Sequence, residues 1–387
     1  MTAPLNILHV QGSFDLGGKE ARTARLMNIW GGRARHSLLI GNSAMRGACA
    51  AIDPDVDAHV VEDGPSIMGG LSYARLSAIA RYMRGFDLVL TYNWGAMNAV
   101  MAHRLFGRAL RLPALIHHED GFNADEAARL STRRNLFRRV ALGGAQALVV
   151  PSCQLERIAI CAWGQPPRKV HNIPNGIDAA AYALRPCPDA IPGLTRTGAR
   201  TDDRPTDRIV IGTLAGLRAV KNLPRLVRIA APLADRITLV IVGEGPERER
   251  IAQEARQQGL DALVMPGFLA RPQDYVGLFD IFALTSDSEQ FPISLVEAMA
   301  AGLPVLSTEV GDVAQMLSAC NRPYLFAPSD EAGLARGLAE LVADSGLRAR
   351  LGTANRQRAM DAFDERGMVA RYAALYGAAA RNAALTR

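Results

Sequence analysis

The 387-residue sequence contains no uninterrupted apolar run of 18 residues, so no membrane-spanning helix is expected. Its first ten residues, MTAPLNILHV, lack a basic segment ahead of the apolar stretch and read as a first strand, not a secretion signal. Cysteine is scarce: Cys49, Cys153, Cys161, Cys187 and Cys320 make an odd count with no CxxC pair. That excludes a disulfide framework and a cysteine-based zinc site, and it points to a reducing cytoplasm. There is no GxGxxG fingerprint, which argues against a nicotinamide enzyme. No short repeat and no cluster of metal ligands is visible, so no metal is predicted. Lysine is almost missing, since only Lys19, Lys169 and Lys221 occur among 44 basic residues.

What is present describes a folded protein. Hydrophobic residues make up 49% and charged residues 21%, a balance that excludes wholesale disorder. At about 100–200 residues per domain, the length suggests two domains or three. The net charge of +6 is unevenly placed. Residues 1–180 hold 20 basic and 14 acidic side chains, while residues 181–387 hold 24 of each. A basic half fits an anionic partner, such as a membrane surface, a nucleic acid or an anionic substrate. It equally fits the solvated surface of an arginine-rich chain.

Short apolar runs at 5–10, 36–41, 87–92, 113–118, 147–152 and 169–176 alternate with helical patterns. The alternation resumes with strands at 208–214, 237–243, 262–268, 280–286 and 304–308, and helices at 222–234, 246–258 and 294–302. Strands alternating with helices imply βαβ units and parallel sheets. Between the arrays, residues 185–207 are rich in Pro, Thr, Arg and Asp and read as a linker. The expected fold class is α/β, with two Rossmann-like domains facing across a cleft. They would span 1–184 and 208–365, and a final helix at 366–387 would return to the first.

Three segments carry chemistry. After the first strand, GSFDLGGKE leads into a helix, and Gly17–Gly18 would let a ligand approach the main chain beside free helix N–H groups. A plain tight turn is the alternative. In GTLAGLRAVKN (212–222), Arg218 and Lys221 stand at a loop-to-helix junction, where both could bind phosphate or simply be solvated cations. In SDSEQFPISLVEAMAAG (286–302), Glu289 and Glu297 are eight apart, and the N–H groups near Ile293 and Ser294 open a helix behind Pro292. Carboxylates beside an anion site make sense when they accept hydrogen bonds from sugar or ribose hydroxyls.

Together, GGKE, VVPS, NGID, VGEGPE, Lys221 and above all EQFPISLVEAMAAGLPV resemble the retaining GT-B glycosyltransferases of family 4, the group 1 glycosyl transferases, over essentially the whole chain. The resemblance implies a nucleotide-diphospho-sugar donor, UDP- before GDP-, bound mainly by the second domain, and no cofactor. It assigns Lys221 to the diphosphate and Glu289 to the sugar hydroxyls, helped by main-chain N–H groups from Phe291 through Pro292 and Ile293 to Ser294. Glu297 would hold the ribose, and Gly267, Phe268 and Leu269 would lie along the base. Gly17 and Gly18 would approach the diphosphate from the first domain. A histidine near the reacting sugar would be His117 or His118 of IHHED, with the choice open.

Two departures stand out: Gly216 occupies the place of the family's usual Arg, with Arg218 two residues on, and Gln290 follows Glu289 where Gly is common. No nucleophile stands beside a base, which fits a front-face route in which the leaving diphosphate takes the acceptor's proton. The acceptor is expected to be lipid-linked or a polysaccharide, in cell-surface glycan biosynthesis. Arg133, Arg134, Arg138 and Arg139 in STRRNLFRRVALGG suggest a helix that touches anionic lipid on the inner membrane face, or else a solvated helix. Rival readings are another GT-B enzyme, such as a nucleotide-sugar epimerase, and a non-catalytic sugar-nucleotide binder. A nucleic-acid role would not explain the second-half motifs.

Overall fold

A computed structural model describes residues 3–15, 17–122, 130–194 and 208–386. The chain divides into two units, Met1–Asn175 with Met368–Arg387, and Gly176–Gly367.

The first unit contains β1 (Leu5–Gln11), α1 (Gly18–Trp30), β2 (Ala34–Ile40), β3 (Ala58–Val60), α2 (Tyr73–Met83), β4 (Leu88–Tyr92) and α3 (Met97–Leu110). It continues with β5 (Ala114–His118), α4 (Thr132–Ala141), β6 (Ala147–Val150), α5 (Cys153–Cys161) and β7 (Val170–Asn172). Its parallel sheet runs β3-β2-β1-β4-β5-β6-β7. The second unit contains β8 (Ile209–Leu214), α6 (Leu223–Ala230), β9 (Ile237–Val242), α7 (Arg248–Gln258), β10 (Leu263–Gly267), β11 (Ile281–Leu284) and α8 (Ile293–Ala300). Then come β12 (Val305–Thr308), α9 (Val313–Met316), β13 (Leu325–Phe326), α10 (Glu331–Ala343) and α11 (Ser345–Ala362), while α12 (Glu365–Ala380) starts in the second unit and belongs to the first from Met368 onward. Its sheet runs β10-β9-β8-β11-β12-β13, again parallel.

Both sheets are buried on both faces, as parallel sheets with helical crossovers require. Along β1, Leu8 and Val10 enter one core while Leu5 and Ile7 enter the other. Along β8 and β9, Val210, Val240 and Val242 face one side, and Ile211, Leu239 and Ile241 the other. The edge strands β3 and β13 carry too short a run to show in the sequence.

Each sheet order reverses once, between β1 and β4 and between β8 and β11. At such switch points the loops leave in opposite directions and open a crevice at the carboxyl ends of the strands. The four helices that follow these strands, α1, α3, α6 and α8, have no capping side chain, as is also true of α7 and α9. By contrast, Ser72, Ser131, Ser152, Asp330 and Asp344 cap α2, α4, α5, α10 and α11. First-turn N–H groups are thus left for a ligand where the crevices lie.

The expected domain boundary at 184/185 moves to 175/176. Ala179, Tyr182, Ile191 and Leu194 are buried in the core of the second unit. The Cys187 N–H also donates to the Asp274 carbonyl at 2.8 Å. The described part of the expected linker, 185–194, is therefore packed chain, while 195–207 lies outside the described residues. In the first unit, Tyr372 and Tyr376 of the final helix are buried, with the Tyr376 ring edge-on to Trp30 at 5.5 Å.

The first crevice depends on a close backbone approach. A Cβ placed on Gly95 would stand 2.6 Å from the Cα of Gly12. Gly95→Ala is expected to destabilise the protein by about 1–3 kcal/mol, because backbone cannot retreat as a side chain does. Urea unfolding that matches the wild type would contradict this packing.

Candidate functional site

The switch point of the second unit gathers the motifs after β8 and β11. Lys221 Nζ donates to Glu289 Oε1 at 2.6 Å, with side chains 17% and 9% exposed. Ser286 Oγ donates to the same oxygen at 2.7 Å. Beneath them, Asn222 adopts a left-handed conformation (φ 44, ψ 48) and reaches Asp287 through Nδ2 at 3.2 Å. Arg225 donates to Asp287 Oδ1 at 2.8 Å and to the Thr285 carbonyl at 2.9 Å. The two loops are stitched together before any ligand arrives.

Glycines let a third loop join them. At Gly243 (φ 139) a Cβ would fall 1.9 Å from the Ala215 carbonyl oxygen, and at Gly245 (φ 154) 2.5 Å from that of Leu217. This is the physical meaning of VGEGPE: its backbone lies directly on the loop that carries Arg218 and Lys221. Gly311 plays the same part against Glu289, whose carbonyl oxygen would lie 2.2 Å from an added Cβ. The sequence reading missed Gly311, because only the fold brings β12's loop to Glu289.

Glu297 lies on α8, where Tyr182 donates a hydrogen bond to its Oε1 at 3.0 Å. Burial pushes its carboxyl up to about 7, against the pull of the Tyr182 hydrogen bond. Tyr182 was also unforeseen; it arrives from NGIDAAAY through the boundary shift. Pro292 is the N-cap residue of α8, so Ile293 and Ser294 open the helix without a capping side chain. The Phe291 ring turns into the core, edge-on to Phe363 at 5.6 Å. Arg218 is exposed, and its Nε lies 3.6 Å from where a Cβ on Gly216 would stand. Gly267 (φ 91) ends β10 against Glu244, Phe268 is 65% exposed, and the Leu269 carbonyl accepts from Tyr275 at 3.3 Å.

The first unit corrects several expectations. Gly17 (φ −172, ψ 165) is ordinary extended backbone and Gly18 opens α1, so neither uses glycine's special conformations. The N-terminus of α1 instead presents Lys19, which donates to Gln11 Oε1 at 3.0 Å and pairs with Glu20 at 2.5 Å. Arg22, buried, makes a two-pronged pair with Asp120 and donates to Asn175 Oδ1 at 2.8 Å. Burial alone would raise the Asp120 carboxyl, but Arg22 outweighs it and holds it below the usual range. No motif announced this pair, since 98 residues separate its members.

His117 and His118 part ways. His118 Nδ1 meets the Thr91 carbonyl at 3.2 Å and its Nε2 meets the Tyr376 hydroxyl at 2.7 Å. Burial, then the charge of Arg22, brings it down to about 3, so it is a neutral core residue and no longer a candidate. His117 bonds Thr91 Oγ1 at 2.9 Å through Nδ1, while Nε2 has no hydrogen-bond partner among the described residues and lies 3.8 Å from Glu119. It stays the candidate of the two, though it is fully buried.

The arginine-rich helix α4 is also turned differently. Arg138 is fully buried, ion-paired to Glu119 at 3.2 Å and set over the rings of Trp94, Phe122 and Trp163. Arg134 lies over Trp94 at 5.1 Å. The face shared by 134 and 138 therefore points inward. The exposed face holds Arg133, Leu136, Arg139 and Val140. Among the described residues no helix is long and apolar enough to cross a membrane.

Comparison with known proteins matches this geometry to a family. Residues 44–181 match the family described as Glycosyltransferase Family 4, and residues 199–358 match Glycosyl transferases group 1. The chain belongs to the family 4, group 1 glycosyltransferases. It is 32% identical over 234 residues to EpsF of Bacillus subtilis, named as a glycosyltransferase; the match covers 56% of this chain and 58% of that relative, less than two thirds of its length. It is 24% identical over 287 residues to the N-acetyl-alpha-D-glucosaminyl L-malate synthase of Bacillus anthracis, covering 73% of this chain and 71% of the relative. Among solved structures, HepE of Anabaena in complex with UDP is similar, with TM-score 0.74 and 20% identity over 97% of this chain and 100% of that one. The fold is therefore GT-B.

Removing Arg138 would take away the guanidinium that Glu119 is paired with inside the first unit. Arg138→Met is expected to cost about 3–5 kcal/mol, whereas Arg133→Ala should stay within about 0.5 kcal/mol. Equal effects in chemical unfolding would show that the two arginines do not differ as described.

Proposed function

We propose that the protein transfers a sugar from a nucleoside-diphospho-sugar, UDP- before GDP-, to an acceptor in surface-glycan biosynthesis, retaining the anomeric configuration. The observation that carries the reading is the Lys221–Glu289 pair at the switch point, beside the uncapped start of α8. Family membership supports the reaction class, and the UDP in the HepE structures supports the donor class. No metal or cofactor is assigned a role.

In this reading the donor separates the pair. Lys221 turns to the diphosphate, and Glu289 accepts hydrogen bonds from the sugar hydroxyls. The bond from the sugar's anomeric carbon to the acceptor oxygen forms on the face from which the diphosphate departs. The acceptor's proton passes to the leaving diphosphate oxygen. Lys221, Arg218 and the first N–H groups of α8 stabilise the charge that builds there, a task for pre-organised donors. Arg218 folds over Gly216 and supplies from two residues on the charge that the family usually places at 216. Glu297 accepts from the ribose hydroxyls, and Gly267–Leu269 borders the base.

Lys221→Ala is expected to lower turnover by about 10²–10³; a loss under about tenfold in a steady-state assay would contradict its role. Arg218→Ala should weaken donor binding, and Gly216→Arg in the same chain should restore it. A double variant no better than Arg218→Ala would break the link between the two positions. Donor nucleotide binding should favour ionised Glu297, so affinity is full above pH 7 and declines as pH falls below it, by up to about tenfold per unit. Calorimetry from pH 8 to 6 checks this, with Glu297→Gln expected to remove that slope.

A further inference from the structure

Lysine occurs only at positions 19, 169 and 221, and the three stand in different company. Lys19 is ion-paired to Glu20 at 2.5 Å and Lys221 to Glu289 at 2.6 Å. Lys169, partly buried, has no ion-pair partner among the described residues. Its Nζ donates to the carbonyl of Leu142, in the turn Leu142–Gly144 that follows α4. None of the roles above uses it.

The neighbours of that turn are basic. Arg104 of α3 packs directly on it: a Cβ on Gly144 would stand 2.8 Å from the Arg104 Cα, and one on Gly143 3.4 Å from its Nε. Arg104 is exposed and likewise has no ion-pair partner among the described residues. His103, the residue before it, meets the Pro113 carbonyl at 2.9 Å through Nε2. Burial, with the charge of Lys169 behind it, lowers His103 in spite of the Pro113 and Gly144 carbonyls, so this ring is neutral. Burial first and the charge of Arg104 second bring Lys169 down to about 8. An amine with one carbonyl acceptor, a cation beside it and no carboxylate gains little from keeping its proton.

We propose that Lys169 takes up carbon dioxide as a carbamate, in the corner formed by the turn Leu142–Gly144 and Arg104. The corner lacks a carboxylate, and the carbamate supplies one. The neutral amine nitrogen attacks the carbon of carbon dioxide. A new N–C bond forms as one C–O π bond opens to give the carboxylate, and one proton leaves the nitrogen for solvent. Nothing is oxidised or reduced. The N–H that remains keeps the hydrogen bond to the Leu142 carbonyl. The carboxylate lies toward Arg104, whose planar guanidinium suits both of its oxygens. Two neighbouring cations thereby become an ion pair. At Lys19 and Lys221 the same reaction would set a carbamate against Glu20 and Glu289, so like charges disfavour it there.

The three lysines of one chain are therefore controls for one another. The intact protein at about pH 8, where the Lys169 amine is partly neutral, is equilibrated with isotopically labelled carbon dioxide. Carbamates are trapped by alkylation with a trialkyloxonium salt, and the label is located by peptide mass. The amino terminus also forms carbamates in this pH range, and it falls on a separate peptide.

Label at Lys169 is expected to exceed that at Lys19 and at Lys221 by at least about tenfold. At constant dissolved carbon dioxide it should grow as pH rises toward about 8, because the amine loses its proton. Arg104→Gln, on the surface, is expected to reduce it by at least about fivefold, and Arg104→Lys to restore part of it. Label absent from Lys169, or spread equally over the three lysines, overturns the proposal. So does label that Arg104→Gln leaves unchanged, since the carboxylate would then owe nothing to that cation.

Discussion

The ion pair between Lys221 and Glu289 joins the loops after β8 and β11 in the second unit. Two groups of opposite charge, one a cation and one rich in acceptor lone pairs, hold each other at 2.6 Å. Each keeps the other in place within a half-buried crevice. In the proposed reading the donor draws them apart. The surrounding contacts, from Ser286 to the Asn222–Asp287–Arg225 chain, tie the two loops together.

That arrangement rests on glycine as much as on charge. Gly243, Gly245 and Gly311 adopt positive φ, and each lies against a carbonyl oxygen of a neighbouring loop. The loops after β8, β9, β11 and β12, four in all, are thereby brought together at the end of the sheet. In the first unit the same economy appears where Gly12 meets Gly95. There the crevice is walled by buried charge instead: Arg22 with Asp120, and Arg138 with Glu119 beneath three aromatic rings. Buried pairs of this kind give little net stability but penalise any packing that separates them.

Much of this was legible in the sequence, for identifiable reasons. Alternating strand and helix signals announce two parallel sheets, because buried parallel strands are nearly continuous apolar runs. The meeting of Lys221 with Glu289 was readable because both sit in loops whose motifs are contiguous, Lys221 after β8 and Glu289 before α8. What escaped depends on distance along the chain or on rotation about a helix axis. Tyr182 reaches Glu297 across 115 residues. Arg134 and Arg138 do share a face, as their spacing requires, yet hydrophobic and basic residues alternate so closely in α4 that the pattern does not say which face is inward. Adjacent His117 and His118 point to opposite sides of β5, a consequence of the strand's period of two. Only their partners, Thr91 and Glu119 for one and Tyr376 for the other, separate them.

The most direct test of the central claim is the affinity of UDP, without its sugar, for the wild type and for Glu289→Gln. If Glu289 holds Lys221 back from the diphosphate, the uncharged variant binds UDP more tightly, although it transfers sugar poorly. Unchanged or weaker UDP binding in Glu289→Gln would mean that the pair does not open for the diphosphate, and the account of this site would be wrong.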